Sequence, residues 1–173
     1  MYINANDFKN ERNDSAMIQA AIDAAKETGK AVVIPKINER TGKAVWDISE
    51  GLVLYSGSIV ILQNCHLRLA DGAVCNMFRN SHSKTDIALE EEGAERDIRI
   101  IGMGKALVDG GIHNGLYEDN GIARKVMKKS EHKISENCMM FFQNVENLII
   151  ENITVKNHRY WGICLYRVSY SRI

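Results

Sequence analysis

Residues 144–161 read NVENLIIENITVKNHRYW. Aliphatic side chains alternate with asparagines, and the run ends on a basic and aromatic cluster, His158, Arg159, Tyr160 and Trp161. Period-two alternation marks a strand with one buried face. Asparagine tolerates left-handed backbone and hydrogen-bonds turn groups, which places Asn147, Asn152 and Asn157 at corners between short strands. A lone surface strand pair and one rung of a repeating stack both fit, but only the stack requires the shape to recur about one coil later. Laying NLIIENI (147–153) over RVSYSRI (167–173) puts Leu148 on Val168, Ile150 on Tyr170 and Ile153 on Ile173, an offset of 20 residues. Such self-similarity is what repeat architectures leave in sequence.

Working outward, further short period-two runs carry Ile59 and Ile61, Leu67 and Leu69, and Ile98 and Ile100, separated by turn residues. Their spacings, 39 residues from Ile59 to Ile98 and 50 from Ile98 to Leu148, fit coils that carry excursions at one corner. The segments 80–96 and 112–137 read as those excursions. One helix is predicted over 15–28, with Asp14 and Ser15 as candidate N-caps, Gly29 as its stop, and Ile18, Ala21, Ile22 and Ala25 on one face. AVVIP follows, a short strand ended by Pro35. The residues therefore predict an all-β, single-stranded parallel solenoid with its coils over 31–173. The helix covers the apolar end and unpaired strand edges of the first coil. An α/β domain with a parallel sheet would need several crossover helices where one is visible.

The chain of 173 residues suits one domain, and 22 basic against 22 acidic side chains give no global field toward nucleic acid or an anionic membrane. No apolar run approaches the roughly 18 residues of a membrane span, and MYINANDFKN lacks a signal-peptide pattern. A cytoplasmic chain is expected, or a secreted one if a leader lies outside this sequence. Cys65, Cys75, Cys138 and Cys164 lack zinc or CxxC spacing and read as buried free thiols.

Few motifs carry chemistry. GMGKALVDGG (102–111) has Leu107 where GxGxxG needs glycine, and its Gly-Lys is not followed by Ser or Thr, so it reads as a coil corner. His66, His82, His113, His132 and His158 form neither HxH nor HExxH, so no metal or cofactor is expected. Asp71 and Asp109 precede glycine as turns require, Glu90, Glu91 and Glu92 form a solvated run, and Asp86, Asp97 and Asp119 have no carboxylate at pairing distance along one strand face. His158, Arg159, Tyr160 and Trp161 are the candidate binding residues: an aromatic face for stacking on sugar and Arg159 for a carboxylate. The competing reading makes Trp161 a large core or corner filler and Arg159 surface charge. Arg124, Lys125, Lys128, Lys129 and Lys133 form a basic run that either attracts polyanions or is a solvated loop.

The order IQAAIDAA, AVVIP, GLVLYSGSIVILQNCHLRLADGA, DIRIIGMGKALVDGG and NVENLIIENITVKNHRYWGICLYRVSYSRI resembles the amino-terminal part of polygalacturonase-like proteins, glycoside hydrolase family 28. These belong to the pectin-lyase-like group of right-handed parallel β-helices. The similarity runs through nearly all of 13–173, in pattern rather than in one diagnostic motif. It implies a right-handed solenoid and inverting hydrolysis of uronic-acid-rich polysaccharide, with carboxyl groups roughly 6.5 to 9.5 Å apart. The family's Asn-x-Asp motif and Asp-Asp pair follow the segment that YWGICLYRVSYSRI resembles, so they are expected beyond residue 173, and no catalytic role transfers to a residue here. The alternative implied function is a noncatalytic module for polysaccharide binding or adhesion. Neither nucleic acid nor a membrane is an expected partner.

Overall fold

The structure, a computed structural model, describes residues 2–73, 75–112, 138–158 and 161–173. In chain order its elements are β1 (Tyr2–Asn4), α1 (Asp14–Thr28), β2 (Ala31–Ile34), β3 (Trp46–Ile48), β4 (Leu52–Leu54), β5 (Ile59–Gln63), β6 (His66–Leu69), β7 (Phe78–Asn80), β8 (Glu95–Met103), β9 (Leu107–Asp109), β10 (Met140–Glu151), β11 (Thr154–Lys156) and β12 (Ile163–Ser169). They form two parallel sheets. The larger has eight strands in the order β1-β2-β5-β8-β10-β7-β4, with β12 also paired to β10, and it curls into a half-barrel. The smaller has four, in the order β11-β9-β6-β3.

This corrects the expected all-β single-stranded solenoid: the architecture is mixed α/β, two parallel sheets and one helix around a shared core. The helix is a structural layer, since Met17, Ile18, Ala21, Ile22 and Ala25 are buried in the same cluster as the strand residues. Counting helices misjudged the class for a definite reason. Parallel strands need long crossovers, and here strands of the other sheet supply them, as β6 does between β5 and β8.

Backbone pairing stacks buried side chains in columns. Val32, Val60, Ile100 and Ile150 lie in register across β2, β5, β8 and β10, and Trp46, Leu67 and Val108 do so across β3, β6 and β9. The Trp46 indole is fully buried and donates to Pro35 O at 2.9 Å. In β5 the inward phase is the opposite of that expected: Val60 and Leu62 are buried, while Ile59 and Ile61 are half-buried. The offset between Ile98 and Leu148 is 50 residues as read from sequence, but β12 pairs with β10 at 23, Val145 opposite Val168, rather than at 20.

The asparagines of the opening stretch explain its pattern. Asn144, Asn147, Asn152 and Asn157 all have left-handed backbone, with φ of 57°, 60°, 55° and 50°. Each turns the chain and resets the alternation, so the inward residues step by three across Asn144 and Asn147, from Phe142 to Val145 to Leu148, and by two from Leu148 to Ile150. β10 thereby bends from pairing with β7 at one end to pairing with β8 at the other. The left-handed positions also stack: Gly57, Asp97, Asn147 and Tyr170 occupy equivalent register positions, and Asn147 Nδ2 donates to Asp97 Oδ1 at 2.6 Å.

Helix α1 starts one residue earlier than expected, with Asn13 as N-cap (Ala16 N to Asn13 Oδ1, 2.8 Å) and left-handed Gly29 as the stop. Asp14 and Ser15 are instead buried and serve the neighbouring strand edges. Asp14 Oδ2 accepts from Asp47 N at 2.8 Å, and Ser15 Oγ accepts from Ser49 N and Glu50 N at 2.9 and 3.1 Å. Gln19 both accepts from Val53 N and donates to Val53 O. β3 and β4 are the edges of their sheets, so helix side chains complete backbone groups that another strand would otherwise satisfy. Among the described residues, no helix is long and apolar enough to cross a membrane.

Two substitutions test these devices. Asn147→Ala should cost about 1–2 kcal/mol by placing a Cβ residue without a local amide in left-handed backbone, while Asn147→Gly should stay closer to wild type; urea unfolding compares them. Ser15→Ala strands two edge donors and should lower stability by about 1–3 kcal/mol, read as a fall in Tm with the far-UV spectrum retained.

Candidate functional site

On the four-stranded sheet, pairing places Asp47 beside Arg68, Arg68 beside Asp109, and Asp109 beside Lys156. Strand register thus alternates carboxylate and cation across all four strands, which suits parallel stacking because like charges directly opposite would repel. Arg68 binds Asp47 Oδ1 through Nε and Nη2 at 2.8 and 2.6 Å.

Asp109 is the centre of this ladder. It is buried at 4% exposure, and its two oxygens are fully engaged. Oδ1 accepts from Gly111 N and Asn157 Nδ2, both at 2.9 Å, while Oδ2 lies 2.9 Å from His66 Nε2 and 3.2 Å from Lys156 Nζ. Burial alone would raise its pKa, but the Gly111 amide, Asn157, His66 and Lys156 outweigh burial and bring it down to about 2. Asp109 is therefore a standing anion, able to anchor cations and orient the His66 ring but not to donate a proton at neutral pH. The expected turn role is present, since the Gly111 contact closes an Asx turn. What the sequence did not disclose is that Asp109 gathers residues from β6 and from the β11 corner.

That corner is where the predicted binding cluster begins. Asn157, left-handed and tied to Asp109, directs the chain into His158, which is exposed. A Cβ at Gly162 would come within 3.8 Å of His158 Cγ, so the ring lies against the backbone entering β12. Trp161, just before Gly162, is 48% exposed, which excludes a core position and leaves a corner one. The structure therefore brings Lys156, Asn157 and His66 together at Asp109 and sets His158 against the backbone that follows Trp161. Arg159 and Tyr160 lie outside the described residues, as do the basic run of Arg124, Lys125, Lys128, Lys129 and Lys133, the histidines His113 and His132, Asp119, and nearly all of the 112–137 excursion.

The 80–96 excursion forms the connection between β7 and β8 and is held by a buried carboxylate. Glu95 Oε2 accepts from Asn80 Nδ2 at 2.6 Å and His82 N at 3.0 Å, and Oε1 accepts from Ser81 Oγ at 2.8 Å. Asn80 also pairs with both backbone groups of Gln143, so this network fixes a loop against β10. Glu90, Glu91 and Glu92 are exposed, as the solvated-run reading requires. Cys65 and Cys138 are buried, and burial pushes each thiol up to about 12, away from nucleophilic chemistry; Cys75 and Cys164 are half-buried rather than buried. Among the described residues, no group of three or more His, Cys, Asp or Glu side chains could hold a metal ion.

Compared with family models, curated proteins and solved structures, the chain matches none.

Asp109 also sets an acid limit. Its folded pKa lies below the ordinary 3.8, so the stability it contributes is complete above about pH 4 and is lost as pH falls through about 2, amounting to about 2 kcal/mol. Urea midpoints measured down this range should show that loss in the wild type, and Asp109→Asn should lack this component while being less stable at pH 7.

Proposed function

We propose that this chain binds uronic-acid-rich polysaccharide at the corner formed by Asp109–Gly111 with Asn157, His158 and Trp161, as part of a protein of the glycoside hydrolase type that its sequence resembles. The observation that carries this reading is the half-exposed Trp161, which follows closely in the chain on Lys156 and Asn157, both tied with His66 to Asp109. An exposed aromatic ring and a lysine close together in the chain suit a sugar acid, because the ring covers the apolar face of a pyranose and the ammonium meets its carboxylate. Asp109 fixes the positions of Lys156 and His66 at this corner.

Glycosidic cleavage needs a carboxylic acid that is protonated at working pH, and Asp109, held as a carboxylate at about 2, is not that acid; its assigned part is to position the binding groups.

Affinity electrophoresis in polygalacturonate, with a neutral glucan as control, tests the proposal. The wild type should be retarded by polygalacturonate at low salt, and Trp161→Ala should bind roughly tenfold more weakly, equivalent to about 1.4 kcal/mol. Equal mobility with and without polygalacturonate would overturn the proposal. Release of reducing ends in the same mixture would favour the cleaving version over the gripping one.

A further inference from the structure

A groove crosses the carboxyl ends of four neighbouring strands of the larger sheet. β1, β2, β5 and β8 run parallel and adjacent in that order, and their last residues are Asn4, Ile34, Gln63 and Met103. Beyond these ends the chain parts: β1 leads into α1, whereas β2, β5 and β8 each lead into a strand of the smaller sheet. Sheets of parallel strands hold ligands in crevices at such partings. Asn4, Pro35, Lys36, Ile37, Gln63 and Lys105 line the groove, which encloses about 610 Å³, the size of a small-molecule site. It shares no residue with the Asp109 corner.

Two asparagines fix its walls. Asn6, which is buried, donates through Nδ2 to Ile37 O at 2.9 Å and accepts from Glu39 N at 3.0 Å, so the loop that carries Lys36 is pinned. Asn64, with left-handed backbone, accepts from Lys105 N at 3.1 Å and so sets the corner that carries the second lysine. The charges along the groove suit an anion. Glu39, the one acid on the lining among the described residues, pairs with Lys9 at 3.5 Å. The ammonium groups of Lys36 and Lys105 have no partner among the described residues.

We propose that this groove binds a sugar phosphate, with the phosphate drawn to Lys36 and Lys105 and the hydroxyls to Gln63 and Asn4. A lysine ammonium is a point charge without the planar fork that arginine offers a carboxylate, so two lysines and no arginine favour a phosphate. The carboxamides of Gln63 and Asn4 supply hydrogen-bonding groups for hydroxyls. Among the described residues no aromatic side chain lines the groove, so nothing there stacks on a nucleobase.

Isothermal titration calorimetry of the 173-residue chain with glucose 6-phosphate, inorganic phosphate, adenosine monophosphate and glucose tests this. The expected result is saturable, single-site binding of glucose 6-phosphate that weakens as salt rises, weaker binding of inorganic phosphate and adenosine monophosphate, and none of glucose. Lys36→Gln and Lys105→Gln should each weaken binding roughly tenfold with the ligand-free Tm unchanged, whereas Lys30→Gln should bind as wild type. Should either lysine variant fail to fold, the salt dependence and the ranking of the four ligands on the wild type decide instead. No binding of glucose 6-phosphate, equal affinity for inorganic phosphate (an adventitious ion only), tighter binding of adenosine monophosphate, or a folded double variant that binds normally would each overturn the proposal.

Discussion

Backbone pairing in a single direction is the constraint on which the molecule rests. Parallel strands cannot be joined by tight hairpins, so the chain travels through other strands, of either sheet, before it comes back to lie beside an earlier one. Side chains then meet their counterparts from distant parts of the chain, and the aliphatic columns follow. Where pairing must stop, edge groups still need partners. At β3 and β4 those partners are Asp14, Ser15 and Gln19 of α1. The helix is held to the sheets by hydrogen bonds as well as by its apolar stripe.

The same constraint acts on charge. On the smaller sheet a carboxylate and a cation alternate from strand to strand, and the one deeply buried member, Asp109, is also the one with the most donors around it. A buried charge is tolerated when its lone pairs are filled. Filling them draws β6, β9 and the corner after β11 together, which fixes the chain just before His158 and Trp161.

Much of the local structure was legible in residues 144–161. Alternation gave strands, and the asparagines marked left-handed corners because few other side chains tolerate that backbone. The helix and its glycine stop were equally plain. Global class was not, because a parallel sheet whose crossovers are themselves strands gives no helical periodicity to count. Register was missed by three residues between β10 and β12: Tyr170 and Arg167 adopt left-handed backbone without being asparagine or glycine, so the corners they make carry no compositional mark. Within the site, His158 and Trp161 stood out by their proximity in sequence. His66 and Asp109, 43 residues apart, became neighbours only through strand register, which a single sequence does not print.

The attachment of α1 bears on the order in which the chain takes shape during synthesis. Among the described residues its polar contacts reach only as far as Tyr55, so the first third of the polypeptide contains both the helix and the edge groups it satisfies. A ribosome would release this closed portion before β8, β10 or β12 exists. Later strands would then arrive on a template whose β3 and β4 edges already have their partners, sparing the nascent chain those two sticky edges.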